Sequence, residues 1–152
     1  MIPFLQVNNE LNYTGLDGNK DKFSNIVLID KAIPKYNDIE KSVNTSSVAI
    51  NYSFGSLKSE LLTILRNNFT KIDRIAICFT SYGNSTSKIF LDNKPLFIDN
   101  EQEGAYSENL QFLLDIINEF NIKNIDFLAC ETLKYENWKN YYNILDRKST
   151  RL

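Results

Sequence analysis

Two short apolar runs constrain the fold most: Ile72-Asp73-Arg74-Ile75-Ala76-Ile77-Cys78-Phe79 and Asn124-Ile125-Asp126-Phe127-Leu128-Ala129. Each is the length of a buried strand and stops abruptly, the first in Thr80-Ser81-Tyr82-Gly83 and the second in Cys130-Glu131. Each also follows a stretch with apolar residues at helical spacing: Leu57, Leu61, Leu62, Ile64, Leu65 and Phe69 before one, and Leu110, Leu113, Leu114, Ile117 and Phe120 before the other. Helix–strand units in tandem require right-handed crossovers, hence a mainly parallel sheet covered on both faces. In such a sheet the residues just past the carboxyl ends of the strands line the ligand or reaction site. Ser81, Tyr82, Gly83, Cys130 and Glu131 therefore become the candidate site residues.

The rest of the chain fits the same scheme. Residues 1–24 contain Gly15, Gly18 and several Asn and Asp without sustained periodicity, and read as an irregular leader, an arm packing on the domain. Asn25-Ile26-Val27-Leu28-Ile29-Asp30 predicts a strand buried on both faces. Pro34 and the spacing of Tyr36, Ile39, Glu40 and Val43 predict a short helix over 34–43. Ser47-Val48-Ala49-Ile50-Asn51-Tyr52 alternates apolar and polar residues, as a strand at a sheet edge does. Ser56 and Ser107 have the chemistry of helix N-caps. The residues from Ser81 to Ser87 read as a polar loop, and 88–98 as a β-hairpin outside the main sheet, turning at Asp92-Asn93.

With 152 residues, 43% of them apolar, the chain has the size and core material of one domain. Seventeen basic and nineteen acidic residues, without a block of either sign, give no electrostatic footprint for nucleic acid or a membrane surface. The N-terminal residues lack the pattern of an export signal, no apolar run approaches the roughly 20 residues of a membrane span, and both cysteines sit in strand-like runs. A soluble protein with reduced thiols is expected, with an intracellular location favoured. No Gly-rich phosphate loop or calcium-loop spacing is present, so neither a cofactor nor a metal is expected. Asp30, Asp73, Asp92, Asp99, Glu101 and Glu103 read as solvated acids.

The succession strand–helix–strand–helix–strand, Ser81-Tyr82-Gly83, hairpin, helix, and a strand ending Ala129-Cys130 resembles the caspase-like fold. It is closest to a bacterial family known as domain of unknown function 4347. There the first strand ends in Asp followed by a "VPDY"-like segment, matched by Asp30-Lys31-Ala32-Ile33-Pro34-Lys35-Tyr36, the third ends in Ser-His-Gly, and the fourth in Gly-Cys or Ala-Cys. The resemblance covers residues 25–145. It implies a three-layer, flavodoxin-like α/β sandwich with a mainly parallel sheet of at least four strands plus a β-hairpin, incomplete at its C-terminus. The family often stands at the N-terminal end of large bacterial surface or secreted proteins, which implies a module of a longer protein. Residues 146–152, Asp-Arg-Lys-Ser-Thr-Arg-Leu, resemble a translated sequencing-library adapter and are expected to be non-native; the other reading is a native basic tail.

Caspase-like peptidases carry a histidine base after the third strand and a cysteine nucleophile after the fourth. Cys130 matches the nucleophile position, but Tyr82 stands where the histidine belongs, and the chain has no histidine at all. A phenol with a reference pKa near 10 is a poor proton acceptor at neutral pH and cannot form an imidazolium beside a thiolate. Glu131, next to Cys130, would raise a thiol pKa by like-charge repulsion. The resemblance thus implies a catalytically inactive domain that binds or scaffolds a protein or peptide, with Ser81, Gly83 and Glu131 lining its site. Two alternatives remain: a cysteine peptidase whose base comes from elsewhere, and an unrelated flavodoxin-like or receiver-like binding domain. The bland reading of Cys130 is a small buried strand-end residue, and that of Tyr82 a loop aromatic packed over the sheet edge.

Overall fold

A computed structural model of the chain describes residues 9–43, 47–81, 87–95 and 108–128. The elements are β1 (Asn12–Tyr13), β2 (Asn25–Asp30), α1 (Tyr36–Ser42), β3 (Ser47–Tyr52), α2 (Lys58–Asn68), β4 (Arg74–Cys78), β5 (Thr80–Ser81), β6 (Ser87–Lys88), β7 (Phe90–Leu91), β8 (Lys94–Pro95), α3 (Glu108–Glu119) and β9 (Asn124–Leu128). The chain is α/β, as expected, and its main sheet runs β1-β3-β2-β4-β9. β2 pairs in parallel with β3 on one side and β4 on the other, and β4 pairs in parallel with β9. Only β1 is antiparallel, so the sheet is mixed and mostly parallel.

Alternation along the strands splits the sheet into two faces. Ile26 and Leu28 of β2, Val48, Ile50 and Tyr52 of β3, and Ile75 and Ile77 of β4 belong to one continuous core with Leu61 and Leu65 of α2 and Leu110, Leu113, Leu114 and Ile117 of α3. Burying each such aliphatic side chain is worth about 1.5–3 kcal/mol, so this face supplies most of the driving force for folding. The opposite face carries Ile29, Asn51, Ala76 and Cys78, and α1 lies against it, with Glu40 reaching Asn51. This division is what right-handed crossovers demand: β2 to β3 runs one way across the sheet, whereas β3 to β4 and β4 to β9 run the other.

Several local expectations are corrected. β3 is not the edge strand, because Asn12 and Tyr13 pair with Asn51 and Ile50, so the leader includes a short strand. α1 starts two residues later than expected, since Lys35 takes φ 59°, and it buries none of its residues. Leu57 is not part of the buried stripe of α2; it is the N-cap and is 46% exposed. Ser56 does not cap α2: its Oγ accepts the Ser53 N–H at 2.9 Å and donates to the Asn9 carbonyl at 2.7 Å. The stretch after β4 is not loop from its first residue, because Ser81 pairs with Ser87 and Thr80 with Lys88. Ser107 and Ala129 lie outside the described residues, as does the stretch 136–145, whose sequence could begin a further helix.

The hairpin β7–β8 turns at Asp92 and Asn93, both left-handed at φ 55° and 61°, the two-residue connection whose twist suits antiparallel strands. Asp and Asn tolerate this conformation better than most residues. The turn then does what Ser56 was expected to do: Asp92 Oδ1 accepts the Lys58 N–H at 3.1 Å at the start of α2. The Asp92 and Asn93 N–H groups donate to the Ser56 and Phe54 carbonyls, both at 2.9 Å. Asn109, 1% exposed at the start of α3, donates through Nδ2 to the Leu91 and Lys94 carbonyls, each at 2.9 Å. One buried amide therefore fastens the hairpin to α3 while Asp92 fastens it to α2.

Asn109→Ala should leave two inward-facing hairpin carbonyls without their donor and lower stability by about 1–3 kcal/mol, read as a fall in the urea midpoint at unchanged slope. A second cross-helix tie is weaker. Arg66 meets Glu119 in a two-pronged pair at 2.9 and 2.7 Å, and hydrogen bonding to the guanidinium, with its charge, holds the Glu119 carboxyl below its ordinary value. A lowered carboxyl stabilises the fold above its unfolded value of about 4.3 and loses that effect as pH falls through the folded value. Both side chains are more than a third exposed, so the effect is small. The midpoint difference between the wild type and Glu119→Gln should be present near neutral pH and vanish on acidification below about pH 4.

Candidate functional site

The carboxyl ends of β2, β3, β4 and β9 form one rim of the sheet, and the strand order reverses direction between β2 and β4. That reversal opens a crevice at the strand tips, the usual ligand position in open α/β sheets. Asp30 closes β2 there and is fully buried, contrary to its reading as a solvated acid. Its carboxylate accepts the Ala32 N–H at 2.8 Å and its carbonyl accepts the Ile33 N–H at 3.0 Å, so the side chain shapes the turn that carries the chain towards α1. The Lys31 N–H, donating to the Tyr52 carbonyl at 2.8 Å, extends the β2–β3 ladder one step further. Asp73 is solvated as expected, in an ion pair with Lys71 at 3.2 Å, and Asp92 is partly buried by its capping role.

At the tip of β3, Ser53 and Ser56 make a buried hydroxyl pair that holds Asn9. The Ser53 Oγ donates to Asn9 Oδ1 at 2.7 Å, beside the Ser56 bond to the Asn9 carbonyl. Gly55 lies under that arm, and a Cβ there would come within 2.7 Å of the Asn9 side chain. These residues are structural: every polar atom named is spent on the arm or on the turn.

β4 and β9 are neighbours in register, with Cys78 opposite Leu128. The Phe79 N–H donates to the Leu128 carbonyl at 3.3 Å, and the Phe79 and Phe127 rings meet edge to face at 6.4 Å. The chain therefore leaves both strands from adjoining positions, Phe79 leading to Ser81-Tyr82-Gly83 and Leu128 to Cys130-Glu131. Of the five candidate residues, Ser81 is described as the backbone partner of Ser87; Tyr82, Gly83, Cys130 and Glu131 lie outside the described residues. Ser81 and Ser87 close the two ends of the 82–86 connection against each other, so Tyr82 follows a fixed strand end.

Cys78 is the thiol that the structure does describe. It is 6% exposed, on the sheet face opposite the main core, and burial pushes its pKa up. Desolvation disfavours the thiolate, so Cys78 belongs with inert structural cysteines. Among the described residues no cluster of His, Cys, Asp or Glu could hold a metal ion, and no helix is long and apolar enough to cross a membrane. No known protein family, curated protein or solved structure matches the chain.

In a Cys130→Ala chain, where Cys78 is the one remaining thiol, an alkylating reagent at neutral pH should modify Cys78 only as fast as the protein opens. The rate should rise steeply in denaturant, and rapid modification of the native protein would contradict the burial of Cys78.

Proposed function

We propose that this chain is a catalytically inactive caspase-like domain that works as a binding or scaffolding module for a protein or peptide, with its site at the tips of β4 and β9. The observation that carries the reading is the absence of histidine from all 152 residues, in a chain whose β4 and β9 lie side by side and lead directly to Tyr82 and Cys130. Adjacent strand tips are the geometry a thiol–base pair needs. A tyrosine on one of them leaves the thiol of the other with only a few per cent thiolate at neutral pH. Substrate chemistry of the peptidase kind is lost, while Ser81, Tyr82, Gly83 and Glu131, next in sequence to the two strand ends, carry hydrogen-bonding groups of the kind that hold an extended peptide.

The test is a thiol-directed peptide probe with an electrophilic warhead. Cys130 of the wild-type chain should react no faster than a model peptide thiol. Tyr82→His, which returns a base to the third strand tip, should accelerate labelling by about tenfold or more, and Cys130→Ala should abolish that gain. Rapid, Cys130-dependent labelling of the wild type would sink the inactive reading in favour of a peptidase.

A further inference from the structure

Asn51 of β3 is 3% exposed, and its Oδ1 has no hydrogen-bond partner. Its Nδ2 donates to Glu40 Oε2 of α1. That bond settles which end of the amide points where, because exchanging O and N would set a carbonyl against a carboxylate. The orphan is thus an acceptor. Buried polar atoms are almost always paired, and one that is not calls for an explanation other than packing. A leucine would fill the same space, as the apolar Ile29 opposite it on β2 does.

The position of Asn51 supplies the explanation. It lines an open groove of about 670 Å³ between β1, β3 and α1, with Tyr13, Thr14, Tyr36, Asn37 and Glu40 on its other walls. Glu40 is the one charged residue among the described lining residues, and none of them is cationic. Lys31, which is not in that lining, places its Nζ on the Glu10 carbonyl at 2.6 Å. Tyr13, Tyr36 and Glu40 therefore line a common space, with Asn51 and its enclosed, unpaired amide oxygen in the wall.

We propose that this groove binds a primary ammonium group, presented by a small free amine or by a lysine side chain. An ammonium has three donors and no acceptor, which matches an orphan carbonyl and a carboxylate, and the two tyrosine rings favour a cation over a neutral or anionic group. Asn51 Oδ1 is enclosed, so under this proposal the ammonium reaches it only with a displacement of the Glu40 side chain. Glu40 can be displaced because it is only partly buried and α1 buries none of its residues. The site is separate from the β4 and β9 tips and stands whether or not Cys130 is reactive.

Two-dimensional amide NMR of the whole chain, titrated with n-butylamine, an Nα-acetyl-lysine amide, its Nε-acetylated form and cellobiose, tests this. Saturable shifts confined to β1, α1 and the end of β3 are expected with the two amines. The Nε-acetylated lysine and the sugar should bind at least about tenfold more weakly, because they lack the charge that Glu40 recognises. A lysine amide that binds more tightly than butylamine identifies a peptide lysine as the source; equal binding identifies a free amine. Glu40→Gln should weaken the amines by about tenfold, and Asn51→Leu should abolish binding while raising the thermal midpoint. Equal binding of the acetylated lysine, preference for the sugar, no saturable shift with either amine, or full affinity in Asn51→Leu would each overturn the proposal. If Asn51→Leu fails to fold, Glu40→Gln and the acetylated ligand still decide it.

Discussion

Everything in this structure depends on β2 being hydrogen-bonded along both edges. Its residues pair with β3 on one side and β4 on the other, all in parallel. A parallel strand cannot be joined to its neighbour by a tight turn; the chain must cross the sheet, and the cheapest crossover is a helix. Three parallel ladders therefore require three helices, and the fixed hand of the crossovers sends α1 to one face and α2 and α3 to the other. The polar residues that end the strands are gathered on one rim by the same requirement. The two faces are unequal: one holds a large aliphatic core under α2 and α3, and the other meets a helix of seven residues that buries nothing.

That inequality concentrates polar chemistry on the α1 side and order on the other. On the α2–α3 side, a few long-range polar contacts finish what apolar packing begins. Asn109 and Asp92 tie a hairpin of four strand residues to two helix N-termini, and Lys58 draws Asp92, Glu108 and Asn109 together at 3.3–3.5 Å. A hairpin that small has no stability alone. It is held at the rim because its turn supplies the N–H partner that α2 lacks and accepts the amide that α3 offers.

Periodicity made the regular elements legible in the sequence. The runs at Ile26, Val48, Ile75 and Ile125 became strands, and the Leu61 and Leu113 stripes became the helices of the main core, because burying those residues dominates the local energetics. The mainly parallel sheet followed from the alternation of helices and strands, and the hairpin from two apolar runs flanking Asp92-Asn93. What the sequence hid were polar residues whose partners lie far along the chain. Ser56 looks like a cap, but Asn9 claims its hydroxyl from 47 residues away. Asp30 and Asp92 look solvated, yet one is enclosed at a strand tip and the other caps a helix 34 positions earlier. Asn51 looks like a polar position in an alternating edge strand, and nothing local says that Glu40 will meet it. At the rim, the sequence named Tyr82 and Cys130 by resemblance, and the structure describes the strands that lead to them.

The arm that carries Asn9 has a role beyond packing. It lays two residues, Asn12 and Tyr13, along Ile50 and Asn51, and without them the outer edge of β3 would be open hydrogen-bonding backbone beside a buried apolar strand. Open edges recruit strands from other molecules. The arm is held by Asn9 on Ser53 and Ser56 and by the Lys31 ammonium on Glu10, and Gly55 lies beneath the Asn9 side chain, which a Cβ at residue 55 would force to shift. The sheet thus ends in its own chain, and the contacts of Asn9 and Glu10 keep the outer edge of β3 covered against pairing with a neighbour.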